Sequence, residues 1–554
     1  MEDIEKRMNS TLQRIIKRPI HPMLISAYTV LSLAAANRAE IVLGDVLRAF
    51  ITVILFSGIL SWIISRLAKH TLRAQLVLSF AGIIYFSYGH VYNVIRGISL
   101  GTFTFGRHRF LLPSSLLLII LFYILLRRIS IDEIRWTQVV NVIGSILIAF
   151  PLLTLTRFEL ISKLHKKVPV SQIEIPLQVP ENPKPPDIYY IILDSYARQD
   201  ILKDLYEFDN RDFIEALEGL GFYVANKSSA NHSSTLFSLT SSLNLDYVQN
   251  LDIELPASNN PQPLIEHLKD NRVTASLRAI GYTIVATASG TFTTSMPDAD
   301  IFLTPDTLEA DVSTQQTNLV INPFEEMYIR TTILRVPLDL ILQRQTSLAA
   351  EWIEDRIGAS RHRKLVLSAF EHLDNMDTIP GPKFVFVHII SPHRPYLFSA
   401  SGEEVVQADS FTFEDTTPSE AVSDEFAQYR DQLLFINQKI LATLTHILST
   451  SDPEPVIMLQ ADHGPAFGFD WQNPDEKNLA TKFPILNAYS LPEHCQEDLY
   501  ESISPVNSFR VVFNCLFNAN LDLLEDRSYF TNHHDKEGFE FIPIELLLES
   551  TNVG

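Results

Sequence analysis

Cysteine is almost absent from this sequence: its 554 residues contain two, Cys495 and Cys515. That excludes a Cys-rich zinc module, whose ligands recur as closely spaced cysteine pairs. Two thiols 20 positions apart leave two readings open. They pair if the C-terminal part lies outside the cytoplasm, or they remain reduced and buried. Basic charge is also scarce where nucleic-acid binding would need it. The chain has 44 Lys+Arg against 65 Asp+Glu, a formal net charge of −21. Residues 1–170 hold 20 of the basic and 8 of the acidic residues, leaving 24 and 57 for the rest. The acidic C-terminal part would repel a phosphate backbone, so no nucleic-acid partner is expected. An anionic substrate there would need the local charge of a metal. The first apolar stretch is not expected to be a cleaved signal peptide. It is Ala-rich, starts near residue 20 and has no clear cleavage context, which suits a retained helix.

What is present in the N-terminal third is apolar sequence. Five stretches fall near 20–37, 47–67, 74–95, 109–126 and 136–156. A run such as Leu116 to Leu126 is too long and uncharged for a soluble helical domain. The second and fourth stretches best match the ~20 residues needed to span a bilayer. Residues 1–160 are therefore expected to be a membrane region of about five transmembrane helices, with the lipid bilayer as partner. Lys6, Arg7, Arg14, Lys17, Arg18, Arg66, Lys69, Arg73, Arg127, Arg128 and Arg135 would share one side. Arg38, Arg96, Arg107 and Arg109 would share the other, with Arg48 at a boundary. The positive-inside rule then places the N-terminus in the cytoplasm and the C-terminal part outside it, in a multi-pass cell-membrane protein. Lys163, Lys166 and Lys167 oppose that assignment.

Pro180, Pro183, Pro185 and Pro186 make 161–186 a Pro-rich linker. Residues 187–554 are expected to form one extracytoplasmic domain. Apolar runs at 187–194, 222–224, 282–286, 383–389 and 456–461 read as strands. Helical spacing marks 213–220, 264–280 and 424–449. This alternation indicates a mostly parallel sheet with helices on both faces. Residues 290–380 carry no motif and read as a mixed insertion.

Two strings carry the chemistry. Asp187 to Asp194 is followed by Ser195-Tyr196, and Val456 to Ala461 ends in Asp462-His463-Gly464. Each reads as a buried strand delivering metal-ligating side chains at its carboxyl end, where open α/β sheets hold ligands. Between them Ser233-Ser234-Thr235 begins a hydroxyl-rich helix that could supply a nucleophile, or could simply cap itself. Carboxylates, a histidine and a hydroxyl converging on a metal point to phosphoryl- or sulfuryl-ester chemistry.

The order of these elements, with Pro392-His393-Arg394-Pro395-Tyr396 between them, resembles the alkaline phosphatase superfamily. More narrowly it resembles membrane-bound sulfatase-like proteins such as lipoteichoic acid synthases and phosphoethanolamine transferases. The resemblance covers roughly residues 187–520 and the membrane architecture. It implies an α-helical multi-span membrane region followed by an α/β sulfatase-like domain with a mostly parallel central sheet. It implies Asp194, Asp462 and His463 as metal ligands, with a Thr that is both ligand and nucleophile. Counting back from Leu243-Asn244 gives Thr235, while Ser233 and Ser234 stay open because sequence does not fix the helix start. His388 and His393 look like the substrate-side histidine segment. His393 would also act in catalysis, whereas His388 reads equally as a core histidine. Lys482 matches a basic position after the Asp-His motif and would contact an anionic ester. Val506 to Arg510 reads as packing, and His533-His534-Asp535 as a solvated loop. The nucleophile segment has no Cys, Pro or Arg, so a formylglycine mechanism is not expected. Mn, Mg, Ca or Zn would suit oxygen donors with one histidine. The implied activity is a membrane-anchored hydrolase or transferase of phosphate or sulfate esters. It would act on an anionic ester, with a lipid or envelope glycan as a candidate. A non-catalytic binding or scaffold protein and a sulfuric ester hydrolase lacking formylglycine are the alternatives.

Overall fold

The structure, a computed structural model, describes residues 18–38, 41, 43–96, 98–100, 103–104, 106–164, 174–179, 184–251, 261–291, 293–305, 321–342, 358–405, 422–532 and 539–551. They fall into two compact units. Lys166, Lys167 and His533-His534-Asp535 lie outside the described residues, as does the side chain of Lys163.

The first unit is built on α1 (His21–Ala36), α2 (Leu43–Leu67), α3 (Thr71–Ile95), α4 (His108–Arg128) and α5 (Glu133–Leu164). Among the described residues, four segments are long and apolar enough to cross a membrane: Gly44–Leu67, Thr71–Ile95, His108–Arg128 and Glu133–Phe158. The other stretch expected to span, α1, has 16 residues. At 1.5 Å per residue it reaches about 24 Å, less than the ~30 Å hydrocarbon core. Leu55, Phe56, Trp62, Leu116 and Phe150 are exposed, as helices solvated by lipid require. Some polar side chains inside the bundle pair with one another. Ser61 donates to Gln75 Oε1 (2.9 Å), and Gln75 Nε2 donates to Ser65 Oγ (2.8 Å).

Part of the motif-free stretch belongs to this first unit. Helices Pro323–Thr331 and Arg335–Leu342 pack with the bundle. Asn322 and Glu325 close a capping box on the first of them. Glu325 also pairs with Arg48, and Tyr328 OH meets Thr29 Oγ1 at 2.9 Å. Gly89 of α3 lies so close to the backbone of Arg330 and Thr331 that a Cβ there would overlap both. Asp339 joins His108 Nε2 (2.9 Å) to Arg335 Nε (3.0 Å).

The second unit holds a seven-stranded sheet. Its strands are β1 (Ile188–Leu193), β2 (Tyr223–Val224), β3 (Thr283–Thr287), β4 (Ile301–Leu303), β5 (Lys383–Ile389), β6 (Val456–Gln460) and β7 (Asn487–Ser490). The order across the sheet is β2-β7-β6-β1-β5-β3-β4. All pairs are parallel except β6–β7 and β2–β7. β1, β5 and β6 are apolar along their length because both faces are covered. Tyr189, Ile191 and Leu193 face one core with Val385, Val387, Ile457 and Leu459. Ile188, Tyr190 and Ile192 face the other with Phe384, Phe386, Val456 and Met458.

Helices flanking the sheet include α6 (Thr235–Asn244), α7 (Gly358–Asp374), α8 (Val422–Thr450) and α9 (Pro505–Phe517). α7 and α8 cover the first face through Val366, Phe370, Tyr429, Leu433 and Ile436. α6 and α9 cover the second through Leu239, Leu243, Phe509 and Phe513. The single helix expected over 264–280 is two, Gln262–Lys269 and Arg272–Ala279. Asn271 restarts it by accepting from the Thr274 N–H at 2.8 Å. Cys495 and Cys515 form a disulfide, with Cα atoms 5.6 Å apart, which tethers the helix Glu493–Gln496 to α9. Val506 to Phe509 are fully buried in α9, as packing residues.

Candidate active site

Strand parity builds the site. Successive residues of a strand point to opposite faces, so Asp194, His388 and Asp462 continue the series that runs through Ile192, Phe386 and Gln460. β1 pairs with β5 on one side and β6 on the other, with Ile192 opposite both His388 and Gln460. The three side chains therefore emerge together at the carboxyl edge of the central strands, on the face covered by α6. Their ligand atoms lie within 4.8 Å of one another, and all three residues are buried.

His463 follows Asp462 and completes the cluster. Its Nε2 is 3.5 Å from Asp462 Oδ2 and 4.0 Å from Asp194 Oδ1. Its Nδ1 lies 3.0 Å from the carbonyl oxygen of Gly464. A carbonyl only accepts, so Nδ1 carries the proton and the Nε2 lone pair faces the carboxylates. Gly464 is needed for close approach rather than for an unusual φ. A Cβ there would overlap the Thr481 carbonyl, and Gly464 N–H donates to Lys482 O at 2.7 Å.

Thr235 is the first residue of α6, and its Oγ1 is 3.2 Å from His463 Nε2. Ser234 is the N-cap but makes no capping bond through its side chain, so the segment does not simply cap itself. Ser233 is buried and exchanges hydrogen bonds with the backbone of Thr531. Of the three hydroxyls, the described contacts to the cluster are made by Thr235.

His388 Nε2 donates to Asp194 Oδ2 at 3.2 Å, while its Nδ1 meets Thr294 Oγ1 at 2.9 Å. That geometry groups His388 with the carboxylates. His393 lies further out. Its backbone N–H donates to Asp194 O (3.0 Å), and its ring centroid is 6.4 Å from that of His463. Its Nδ1 donates to Arg394 O (2.6 Å), leaving Nε2 as the nitrogen that can accept or pass on a proton. Lys482 is buried with its Nζ 3.3 Å from His463 Nδ1 and 5.3 Å from the Trp471 ring centroid. It thus stands on the Nδ1 side of His463, whereas Thr235 and the carboxylates stand on the Nε2 side.

Electrostatics favour negative charge at the cluster. Burial opposes ionisation of Asp194, but the charge of His393 and the hydrogen bond from His388 outweigh it and hold the carboxyl well below the usual carboxylate range. Asp462 Oδ2 is buried and makes no hydrogen bond. An orphaned carboxylate oxygen facing a neutral imidazole lone pair and a hydroxyl is a donor set that a divalent cation fits.

Sequence reasoning assigned no role to Thr294 or Ser289. Thr294 bonds His388 and also meets Ser289 Oγ and Thr291 Oγ1, each at 2.8 Å. The hydroxyl-rich string from Ser289 to Ser295 was a visible signal. It lies in a loop after β3, beside β5 in the sheet.

No protein-family model matches the chain. No curated protein matches it either. Similar solved structures include the C-terminal periplasmic domain of EcEptC from Escherichia coli in complex with Zn, at 12% identity and TM-score 0.40, covering 66% of this chain and 95% of that one. Another is the integral membrane protein lipooligosaccharide phosphoethanolamine transferase A from Neisseria meningitidis, at 11% identity and TM-score 0.40, covering 90% and 94%. A third is phosphonate monoester hydrolase of Agrobacterium radiobacter, at 12% identity and TM-score 0.35, covering 62% and 80%. Likenesses at these TM-scores carry no argument about the reaction.

Proposed function

We propose that this chain is a membrane-anchored, metal-dependent hydrolase or transferase of phosphate or sulfate esters, with Thr235 as its nucleophile. The observation that carries the reading is the convergence of Asp194, His388 and Asp462 at the edges of three adjacent strands, with His463 between them and the Thr235 hydroxyl. Asp194, Asp462, His463 and Thr235 would hold a divalent ion, with His388 bonded to Asp194. Bound there, the ion would supply Lewis-acid charge to the ester and lower the pKa of a coordinated hydroxyl.

The chain's own groups account for the rest. Thr235 Oγ1, its proton released to solvent water, attacks the phosphorus or sulfur of the ester, forming a bond to it while the bond to the leaving oxygen breaks. The first turn of α6 directs its N–H groups and the positive end of its dipole toward the incoming anion. His393 Nε2 is the proton donor to the leaving oxygen when the ring is charged, and the acceptor of a proton in the second step. That step frees Thr235 by attack of water or an acceptor alcohol. His388, held by Thr294, keeps Asp194 oriented. Phosphate is the favoured ester, because a hydroxyl nucleophile suits a covalent phospho-enzyme. Attachment to membrane helices suits transfer of a phospho-headgroup to an envelope lipid or glycan. The disulfide supports an oxidising compartment for this unit, in line with an extracytoplasmic site.

The test is hydrolysis of an aryl phosphate monoester, an aryl phosphodiester and an aryl sulfate by the full chain in detergent, loaded with Mn²⁺ or Zn²⁺. The expected result is phosphodiester turnover that disappears in Asp462→Ala and Thr235→Ala. Sulfate turnover alone would overturn the substrate class. No turnover and no bound metal would leave a binding module as the better description.

A further inference from the structure

Ser195 has no part in the reaction proposed above, yet it touches three of the groups that would hold the ion. Its Oγ–H donates to Asp194 Oδ1 at 3.2 Å. The same Oγ lies 3.2 Å from His463 Nδ1, which can share its proton between Ser195 and the Gly464 carbonyl. The backbone N–H of Ser195 donates to Asp462 Oδ1 at 3.2 Å. In the Asp462 and His463 contacts Ser195 holds the atom turned away from the cluster's open donors, and in the third it braces Asp194 Oδ1, whose partner oxygen Oδ2 is bonded by His388. Asp462 Oδ1 is engaged by Ser195 N–H and by His463 N–H (2.9 Å), while Oδ2 is left without a hydrogen bond. His463 Nδ1 is engaged, while Nε2 faces Thr235 and the carboxylates.

Making all three contacts at once requires an unusual backbone. Ser195 has φ +62°, in the left-handed region that favours glycine. The conformation is held from outside. Tyr429 OH of α8 donates to Ser195 O at 2.9 Å and accepts from the Ala197 N–H at 3.1 Å. A strained residue kept in place by a neighbouring helix and aimed at a cluster of buried ligand atoms is a recurring feature of functional sites. Glycine would occupy this turn with less strain but would leave the Asp194 and His463 contacts unmade.

We propose that Ser195 is a positioning residue that preorganises Asp194, Asp462 and His463 for metal binding, at the expense of local backbone strain. The proposal rests on the metal-site reading above.

The test compares wild type, Ser195→Gly and Ser195→Ala as full chains in detergent. Zn²⁺ and, separately, Mn²⁺ affinities are measured by competition with a chelator, alongside apo-protein melting temperatures. The expected result separates the two readouts. Ser195→Gly melts at or above wild type, while its metal affinity falls about 10- to 100-fold, the usual effect of losing an outer hydrogen-bond partner of a ligand. Ser195→Ala loses similar affinity and melts lower, because it keeps the left-handed turn without the hydroxyl. Wild-type affinity in Ser195→Gly would overturn the positioning role while leaving the metal site standing. A wild-type chain that binds neither ion would overturn the metal site, and this proposal with it. A purely structural serine would show melting and affinity falling together in both variants.

Discussion

Replacing Gly464 with alanine tests how the Asp462-His463 turn is held. A Cβ at this position would stand 3.2 Å from both Thr481 C and Lys482 O, and would overlap the Thr481 carbonyl oxygen outright. The obstacle is backbone, so no rotamer change relieves it. The two segments must part by roughly 1.5 Å to restore ordinary contacts of about 3.5–4.0 Å. That movement breaks the 2.7 Å bond from Gly464 N–H to Lys482 O. Forced separation in a packed region costs about 1–3 kcal/mol, and the lost hydrogen bond about 1 kcal/mol more. Gly464→Ala should therefore destabilise the C-terminal unit by about 2–4 kcal/mol, measured by urea denaturation with a tryptophan signal. The damage should reach the site too. Lys482 would shift relative to His463, and Gly464 O would turn from His463 Nδ1, weakening metal binding. An alanine variant within 0.5 kcal/mol of wild type (the range of an ordinary surface substitution, roughly ±0.5 kcal/mol) would refute the close-approach argument.

Three further outcomes are expected. His393→Asn should lower turnover by about 10²- to 10⁴-fold with little change in metal affinity, the size of a lost general acid–base, as read by steady-state kinetics beside a metal titration. Cys495→Ser with Cys515→Ser should cost about 3 kcal/mol of stability, from the chain entropy of a loop closed over 20 residues; equal denaturation midpoints would remove that role. His232 gives a pH signature. It is fully buried with neither ring nitrogen hydrogen-bonded, and burial pushes its pKa down to about 3 from an ordinary 6.5. The unfolded chain therefore binds the proton first, so this histidine's effect is absent above about pH 6.5 and grows as pH falls toward 3, by about 1.4 kcal/mol per unit. His232→Phe, which suits the surrounding Phe237, Tyr247, Tyr529 and Phe541 rings, should flatten that acid slope in pH-dependent melting.

The parts of the fold legible in the sequence were those written in local pattern. β1, β5 and β6 are uninterrupted apolar runs, and a side chain one step beyond such a run has its face fixed by the period of two. That is why Asp194 and Asp462 could be placed together before any coordinates. Thr235 needed more, since only the true start of α6 separates it from Ser233 and Ser234. In the structure α6 starts at Thr235, whose Oγ1 reaches His463, while Ser233 bonds Thr531. What sequence did not reveal depends on long-range contact. Residues 321–342 carry no membrane-like run, yet they pack with the N-terminal helices through pairs such as Glu325 with Arg48 and Tyr328 with Thr29, nearly 300 residues apart. Ser195 stood in plain view after Asp194, but its left-handed φ and its three contacts exist only once β6 and α8 are alongside. The helix expected over 264–280 failed at Asn271, where a capping side chain outweighs continuous apolar spacing.

The central claim is that Thr235 becomes covalently bonded to the ester's phosphoryl group. Acid-quenching the metal-loaded full chain during turnover of an aryl phosphodiester, then mapping its peptides by mass, tests this directly. The account predicts a phosphoryl adduct on Thr235 that is absent from Thr235→Ala and from wild type stripped of metal. Turnover with the adduct on Ser195 or Ser234, or with no adduct on any residue under single-turnover quench, would contradict it.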